Sequence, residues 1–344
     1  MAEINRQWVV AQASTSAGMC LEPEVFGLHE APIPEPGPGQ ILIRNLIFAC
    51  EPLVHAWVKG VPGRIDPLPV GATIKGHAGG QVVTSQHPGF NVGDLVHGNL
   101  AWADYTLSDG NDVNGVPLSL QVEGFDLSTS MITLGMTGLC AYIGLLDIGS
   151  PKPGDMVVVS AAAGGIGNIA GQLAGLAGCE VIGIAGDENK CQRLVSDLGF
   201  TAAIDYKSSD VSAELGKLAP GGVNVMFDNV GGQVLDAVLL NLASWGRVVV
   251  CGGIGSYDNP QMGVYNHILL AQRNGSMHGF WYSDYQQNFA RATQRLGQWL
   301  KEGKLKEVVD IAHGFEQVPE ASRGIFSGAN MGKQLVQIAS PVEA

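Results

Sequence analysis

The chain has 344 residues, of which 46% are hydrophobic and 15% charged, so it is long enough for two domains with substantial cores and unlike a disordered chain. A formal net charge of −13 without any run of Lys and Arg argues against nucleic acid or an anionic membrane as partner, and we expect a small-molecule substrate. Six scattered cysteines without C-x-x-C spacing, no apolar run of transmembrane length and no signal-peptide pattern predict a cytoplasmic protein with reduced thiols.

Residues 7 to about 98 are predicted to be rich in β-structure. Residues 40–46 form a strand candidate after a segment rich in Pro and Gly, and residues 79–85 and 94–98 are further short strand candidates separated by turn signals. This rhythm is typical of a barrel-like antiparallel domain.

From about residue 128 the pattern changes to alternating strands and helices, which is typical of a doubly wound α/β sheet. The predicted strands are residues 156–160, 180–184, 202–205, 223–227, 247–251 and 276–280. The predicted helices are residues 168–177, 188–198, 209–218, 233–243 and 284–301. The tail after Gly303 is predicted to hold short strands, ending with residues 333–338, that rejoin the first domain. The expected domains are therefore residues 1–128 with 304–344, and residues 129–303.

The most informative segment is residues 157–174, where a β-branched run leads into a turn of small residues and then an apolar helical stripe. This is the opening of a dinucleotide-binding βαβ unit, with Ala162 at the first position of the usual G-x-G-x-x-G. Gly164 lets the backbone approach a pyrophosphate, and Gly167 lets the helix pack closely on the strand. We expect Ala162, Gly164, Gly165, Ile166 and Gly167 to hold the cofactor at the helix N-terminus. The alternative is a structural turn in which small residues serve only helix packing.

Seven segments in family order carry a resemblance across nearly the full length. They are LGMTGL (134–139), GLLDIG (144–149), VVVSAAAG (157–164), GIAG (183–186), AIDYK (203–207), FDNVGG (227–232) and GANMGK (328–333). The chain resembles the zinc-independent branch of the medium-chain dehydrogenase/reductase superfamily, and within it the alkenal/one double-bond reductases, the family of prostaglandin, leukotriene B4 and curcumin reductases. The resemblance implies a GroES-like barrel domain, a Rossmann domain and hydride transfer from NADPH to a carbon–carbon double bond conjugated to a carbonyl. We also expect a homodimer.

The cofactor preference is predicted from the end of the second α/β strand. A Rossmann protein that selects NAD usually carries an acid there, but this strand ends in Gly186. The resemblance makes Gly186, Lys190 and Tyr206 the contacts of the 2′-phosphate, and a cation and a phenol suit a phosphate dianion. Lys190 could instead be a solvated lysine on a helix face. Asp187 could instead take the ribose 2′-OH of NADH, which leaves that alternative open.

Three further residues take their roles from the resemblance. Asn229 of the Asp-Asn-Val-Gly motif would face the nicotinamide side, Asn330 would contact the cofactor, and Tyr257 would stand at the mouth of the site. The alternative for both asparagines is a turn residue beside glycine. Tyr257 is the candidate catalytic donor to a developing enolate.

A catalytic zinc is not expected. In zinc-dependent relatives one ligand is a Cys near Cys50 and another is the His of a Gly-His-Glu motif, of which Gly76 and His77 remain. The third ligand position falls near Leu134, which cannot bind a metal, whereas such a site needs three protein ligands.

The predicted substrate pocket departs from the family. The family commonly has Asp-Pro-Tyr-Met-Arg where this chain has Glu-Pro-Leu-Val-His, so Leu53 and His55 replace a tyrosine and an arginine. We expect Leu53, His55, Tyr257 and Tyr282 to contact a bulkier or more apolar substrate. An aromatic wall, or plain core packing, is the expected role of Trp57, Trp102, Trp281, Tyr282 and Tyr285.

The principal functional hypothesis is an NADPH-dependent reductase of α,β-unsaturated ketones or aldehydes. An NADPH-dependent quinone reductase and a dinucleotide-binding protein without reductase turnover are the alternatives. An alcohol dehydrogenase is disfavoured because its zinc ligands are missing.

Overall fold

A computed structural model describes residues 4–61, 63, 65–257 and 263–342, without the side chains of Ser256 and Tyr257. The chain divides into two compact units. The first, the barrel unit, comprises Met1–Met131 and Val309–Ala344, and the second, the nucleotide unit, comprises Ile132–Val308.

The N-terminal part of the barrel unit holds seven strands and two helices. They are β1 (Ile4–Val10), β2 (Phe26–Pro32), β3 (Ile41–Ala49), α1 (Pro52–Lys59), β4 (Lys75–Ser85), β5 (Leu95–Ala101), β6 (Tyr105–Ser108), β7 (Ser119–Leu120) and α2 (Leu127–Met131).

The nucleotide unit alternates helices and strands. It contains α3 (Met136–Tyr142), a π-helical turn (Ile143–Gly149), β8 (Met156–Ser160), α4 (Gly165–Leu176), β9 (Glu180–Ala185), α5 (Glu188–Leu198), β10 (Ala202–Asp205), α6 (Val211–Leu218), β11 (Val223–Asp228), α7 (Gly232–Leu240), β12 (Leu242–Val250), α8 (Ile254–Tyr257), α9 (Ile268–Gln272), β13 (Ser276–Gly279), a 3-10 segment (Tyr282–Asn288) and α10 (Phe289–Lys301). The chain then returns to the barrel unit with β14 (Val309–His313), α11 (Val318–Ser327) and β15 (Lys333–Gln337).

The barrel unit contains a seven-stranded sheet in the order β14-β15-β3-β4-β5-β7, with β6 paired to β3, and a separate antiparallel pair formed by β1 and β2. The C-terminal strand β15 pairs antiparallel with β3, placing Leu335 opposite Ala49. Apolar side chains from the two chain segments share one core, in which Phe48, Trp102 and Phe315 are fully buried.

The nucleotide unit is built on a six-stranded parallel sheet in the order β10-β9-β8-β11-β12-β13. This is the doubly wound order of Rossmann folds, so the predicted α/β class is confirmed. The strand order reverses between β8 and β11, and in such sheets ligands bind beside the carboxyl ends of the strands at that position. The buried runs Val157–Val159 and Val225–Phe227 are the apolar centre that a sheet covered on both faces requires.

Several predicted bounds differ from the structure, and β12 begins at Leu242, within the helix predicted over residues 233–243. Three further differences have identifiable physical reasons. The helix predicted over residues 284–301 is interrupted, because Tyr285 has non-helical angles (φ −113°, ψ 29°) and α10 begins only at Phe289. The helix predicted from residue 168 begins at Gly165, since glycine has no side-chain signal for a helix start. The tail predicted as short strands also contains α11, which carries a proline in its first turn, a position that proline tolerates.

Candidate functional site

The turn between β8 and α4 leaves backbone N–H groups free at a helix start. β8 ends at Ser160, Ala161 adopts the left-handed conformation (φ 46°), and Gly164 is the N-cap of α4. No described side chain caps this helix through a hydrogen bond. The first N–H groups of a helix have no intrahelical partner and attract an anion, so this turn suits a pyrophosphate.

Close packing explains the small residues in this turn. A β-carbon at Gly167 would overlap the carbonyl oxygen of Ala161, and one at Gly164 would lie 3.2 Å from the same oxygen. Ala162, at the first position of the motif, is fully buried, and its N–H donates to the carbonyl of Ile184 on β9 at 3.0 Å. Helix, turn and neighbouring strand are thus in contact through backbone atoms.

A hydrogen-bonded cluster joins the carboxyl ends of β8 and β11, where the strand order reverses. The Ser160 hydroxyl donates to Asp228 Oδ1 at 2.7 Å and accepts the N–H of Asn229 at 2.8 Å. The amide group of Asn229 donates to the Ser160 carbonyl at 2.8 Å. The Asp228 carboxylate also accepts the N–H groups of Val230 (3.1 Å) and Gly231 (3.0 Å). Asn229, the predicted nicotinamide-side residue, is therefore held at this edge of the sheet.

Burial dominates the electrostatics of this cluster. Asp228 is fully buried, and desolvation raises the pKa of its carboxyl above the ordinary value although three donors favour the charged form. Burial likewise raises the pKa of the neighbouring Cys251 thiol to about 12, with the Asp228 charge adding to the effect. Cys251 is therefore a thiol and not a reactive thiolate at neutral pH.

Asp187 serves the start of α5. Its Oδ1 accepts the N–H of Lys190 at 2.8 Å, which is the normal bond of an N-cap residue. Its Oδ2 lies 3.7 Å from Lys190 Nζ, and the Lys190 side chain is only 12% exposed. The carboxylate that could have bound a 2′-OH is thus bonded to α5 and beside the predicted 2′-phosphate lysine.

Gly186 lies under two side chains from the end of β10. A β-carbon at Gly186 would lie 3.4 Å from the Tyr206 hydroxyl oxygen and 3.3 Å from Lys207 Cε. Lys207 Nζ is 5.9 Å from the centre of the Tyr206 ring, and both side chains are exposed. Gly186 and Tyr206 of the prediction thus lie together with Lys207, and Lys190 lies beside Asp187 in the first turn of α5.

The barrel unit contains a buried charged cluster that the sequence did not predict. Lys333 Nζ donates to Glu51 Oε1 at 2.8 Å, and the same oxygen lies 4.0 Å from His77 Nδ1. Among described residues, Glu51 Oε2 and His77 Nδ1 have no hydrogen-bond partner. Burial lowers the pKa of His77 to about 3, with the Lys333 charge adding to it, and burial raises the pKa of the Cys50 thiol to about 12.

Asn330 lies three residues before Lys333, the first residue of β15. Its side-chain amide donates to the Gly332 carbonyl at 2.6 Å, and the next residue, Met331, donates its N–H to Asp310 Oδ2 at 3.3 Å. The amide is thus used in the turn itself, as the turn interpretation expected, and its contact with a cofactor stays a prediction.

His55 differs from its expected substrate role. The ring is fully buried, Nδ1 accepts the N–H of Leu21 at 3.0 Å, and Nε2 lies 3.0 Å from the Ser322 hydroxyl. The ring edge also packs on Phe326 with centroids 4.6 Å apart. These contacts give His55 a structural role within the barrel unit, because a ring bonded at both nitrogens has no donor or acceptor left for a substrate.

The other predicted pocket residues lie in different units. Leu53 is half-buried in the first turn of α1. Tyr282 is half-buried and stacks on Phe289 with centroids 5.7 Å apart. The backbone of Tyr257 ends α8, but its side chain lies outside the described atoms.

Comparisons with known proteins identify the family. Residues 6–116 match the family model "N-terminal domain of oxidoreductase" and residues 165–298 match "zinc-binding dehydrogenase". The chain is 35% identical to the NADPH-dependent curcumin reductase of Escherichia coli over 97% of each chain. It is 36% identical to the NADP(+)-dependent 2-alkenal reductase of Nicotiana tabacum over 89% of each chain. The chain belongs to the alkenal reductases of the medium-chain dehydrogenase/reductase superfamily.

A solved structure of this family supports the same assignment. CurA from Vibrio vulnificus in complex with NADPH is 34% identical, with a TM-score of 0.90 over 98% of this chain and 100% of that one. The fold predicted from the sequence, a GroES-like barrel plus a Rossmann sheet, is confirmed by this similarity.

The barrel unit does not fit the zinc that one family description names. Cys50 is a thiol with a raised pKa, and the Lys333 ammonium already neutralises Glu51 beside His77. In the described ranges 4–61, 63, 65–257 and 263–342, no three His, Cys, Asp or Glu side chains converge as a metal site would require.

Sequence reasoning missed two parts of the site. The Ser160–Asp228 bond joins residues 68 positions apart, but both residues end buried strands of the parallel sheet. Strand-final polar residues on adjacent parallel strands were the available signal. For Glu51 and Lys333, 282 positions apart, the sequence offers no such signal.

We predict that Gly167→Ala destabilises the nucleotide unit by about 1–3 kcal/mol, because α4 must move away from the turn to admit a methyl group. The matched control is Gly175→Ala in the same helix, where a β-carbon meets no atom within 4 Å and stability should rise by up to about 1 kcal/mol. Urea unfolding of both variants checks this. Equal behaviour of the two would show that close packing at Gly167 is not limiting.

We predict a pH-dependent stability difference between the protein and Asp228→Asn. The folded pKa of Asp228 is raised, so its contribution is fully present below the unfolded pKa and is lost as pH rises through the folded pKa. The free energy of unfolding of the wild type should therefore fall relative to Asp228→Asn from about pH 4 upward, by at most about 1.4 kcal/mol per pH unit.

The control for this titration is Asp109→Asn. Bonds from Asn111 lower the pKa of Asp109, so the wild type should instead gain stability relative to this variant as pH rises. The free energies of unfolding of the wild type and both variants are measured by denaturant titration at several pH values between 3.5 and 7.5. A flat or rising difference for Asp228→Asn would contradict the raised pKa.

Proposed function

We propose that this protein reduces the carbon–carbon double bond of α,β-unsaturated ketones or aldehydes with NADPH. The reaction class comes from relatives named curcumin reductase and 2-alkenal reductase, which match along nearly the whole chain. The observation that best supports the cofactor assignment is the end of β9, where Gly186 lies beside Tyr206 and Lys207 and the following helix α5 carries Lys190 in its first turn.

The nucleotide unit has groups suited to each part of NADPH. The N–H groups of Gly165, Ile166 and Gly167 in the first turn of α4 hold the pyrophosphate, Gly164 lets it approach closely, and Ala162 keeps the turn close to β9. Gly186, Lys190 and Tyr206 hold the 2′-phosphate, which the phenol and the ammonium group bind as donors. Asn229 contacts the cofactor by family resemblance, as does Asn330 of the barrel unit.

NADPH supplies the hydride, and the chain needs few catalytic groups of its own. Conjugation makes the β-carbon of the substrate electrophilic, so hydride addition there develops an enolate, which takes a proton from water at its α-carbon to give the saturated carbonyl compound. Tyr257 donates a hydrogen bond to that enolate oxygen. Leu53 and Tyr282 contact the substrate. The reaction is independent of zinc, a proposal supported by the ion pair of Glu51 with Lys333 beside His77.

A homodimer is supported by the exposed edge of the parallel sheet. β13 pairs only with β12 in the described chain, and all four of its residues are exposed. Large apolar side chains are exposed on this strand and on segments near it in the sequence, namely Trp245, Tyr265, Ile268 and Met277. An edge strand with unpaired backbone groups and exposed apolar neighbours can pair with a strand of another chain, and we propose that a second copy of this protein binds there.

The proposed location is the cytoplasm. The six cysteines form no disulfide among the described residues, as is usual in a reducing compartment. Separately, among the described residues no helix combines the length and the apolar character needed to cross a membrane.

We predict that the protein converts an enone to the saturated ketone and leaves the carbonyl intact. Gas chromatography of the product of a simple enone with NADPH checks this, and an allylic alcohol would refute the reaction class. The rate should be higher with NADPH than with NADH and unaffected by a zinc chelator. A preference for NADH would indicate that Asp187 binds the ribose 2′-OH. Loss of activity with the chelator would show that the reaction requires a metal.

We predict that Tyr257→Phe lowers kcat, since loss of one oxyanion donor typically removes about 2.7–4 kcal/mol of transition-state stabilisation. Cofactor affinity should stay unchanged, because the hydroxyl acts on the substrate. Steady-state kinetics with fluorescence titration of NADPH separates the two. A near-normal kcat would mean that Tyr257 only lines the pocket.

We predict that Met277→Lys weakens the dimer, because a charge on the edge strand opposes pairing. The control is Val116→Lys, an exposed apolar residue of the barrel unit. Sedimentation velocity should show dissociation for the first variant alone. A monomeric wild type would remove the proposed dimer.

A further inference from the structure

A second cation lies at the proposed 2′-phosphate position. Lys207 follows Tyr206 at the end of β10, and β10 pairs in parallel with β9, so both residues lie beside Gly186. Lys207 Cε and the Tyr206 hydroxyl are each within 3.4 Å of the position of a β-carbon on Gly186. A side chain at residue 186 would therefore contact the same two groups that a ligand above Gly186 would contact.

The two lysines differ in what they already bind. Lys190 is largely buried, and its ammonium group has the Asp187 carboxylate 3.7 Å away. Lys207 is exposed, and among the described residues no carboxylate lies within 4.0 Å of its ammonium group. The nearby Asp205 carboxylate is used in its own turn, where it accepts the Lys207 N–H at 3.0 Å and the Ser208 hydroxyl at 2.8 Å.

The ring of Tyr206 orients Lys207. An ammonium group 5.9 Å from a ring centre lies within the range of cation–π attraction. This contact keeps the Lys207 side chain beside the phenol and leaves its N–H groups for a ligand. A dianion held by one ammonium group next to a carboxylate needs further compensation, and Lys207 is positioned to supply it.

We propose that Lys207 is a specificity-determining residue that binds the 2′-phosphate together with Tyr206, while Asp187 limits the contribution of Lys190. This inference rests on the proposed use of NADPH. It assigns the preference over NADH chiefly to Lys207 and Tyr206, which follow β10, and to a smaller extent to Lys190 of α5.

The test is calorimetric binding of adenosine 2′,5′-bisphosphate and of 5′-AMP, which differ only in the 2′-phosphate. Lys207→Ala should weaken the bisphosphate about tenfold and leave 5′-AMP unchanged, and Lys207→Arg should restore most of the affinity. Lys217→Ala, which removes an exposed lysine of α6 with the same change in net charge, should change neither. Unchanged bisphosphate affinity in Lys207→Ala would overturn the proposed role and would mean that Lys207 is a solvated surface lysine without contact to the 2′-phosphate.

Asp187→Asn tests the second part, because asparagine keeps the helix cap and removes the charge. Bisphosphate affinity should rise by up to about fivefold as Lys190 loses its carboxylate partner. Unchanged affinity overturns the limit set by Asp187. A wild type that binds NADPH no better than NADH overturns the proposed cofactor itself. A wild type that prefers NADPH but is insensitive at Lys207 leaves the proposed function intact and removes this inference alone.

Discussion

The Asp228 carboxylate is the interaction on which the centre of the nucleotide unit depends. β8 and β11 are the two strands between which the sheet reverses its order, and their helices leave on different faces, so the carboxyl ends need a separate connection. Asp228 supplies it by accepting the Ser160 hydroxyl and two backbone N–H groups of the following turn. A buried carboxylate is unfavourable unless its bonds are made, so these contacts fix one geometry for the turn that carries Asn229.

The charges of the site oppose those of the whole molecule. Asp and Glu outnumber Lys and Arg by 32 to 19, so the mean field of the protein repels a dinucleotide that carries several phosphate charges. Screening limits this repulsion to about 8–10 Å at physiological salt, and contacts at hydrogen-bond distance act inside that range. An acidic protein can therefore bind an anion where backbone N–H groups and a few lysines converge. The turn at Gly164 and the strand ends at Gly186 and Tyr206 are such positions.

Local patterns made most of the fold predictable. The strand at residues 156–160 and the helix at residues 188–198 were predicted with the bounds observed, because a continuous apolar run and a capped amphipathic pattern are both local signals. The long predicted helix is interrupted at Tyr285, although no proline or glycine nearby signals an interruption in the sequence. The role of Asp187 also escaped prediction, since a capping aspartate and a ribose-binding aspartate occupy the same place in a sequence.

Long-range contacts account for the rest of what the sequence could not predict. The His55 ring, expected to face a substrate, is bonded to Leu21 and Ser322, which belong to distant parts of the chain. Neither contact leaves a periodic signal, and the same histidine in the same motif would serve a pocket if these partners were elsewhere. A motif thus fixes the residue type at a position, whereas the packing of distant segments decides what that side chain binds.

The barrel unit shows why ligand-type residues alone do not make a metal site. Cys50 and His77 keep the residue types of a zinc site, but Lys333 places a positive charge 2.8 Å from Glu51 in a buried environment. Removing one partner of a buried ion pair typically destabilises a protein by about 3–5 kcal/mol, because the remaining charge is left without compensation. A divalent ion here would meet that ammonium group and a thiol whose pKa is about 12. A metal site at this position would therefore require the removal of the Lys333 charge as well as the addition of a third ligand.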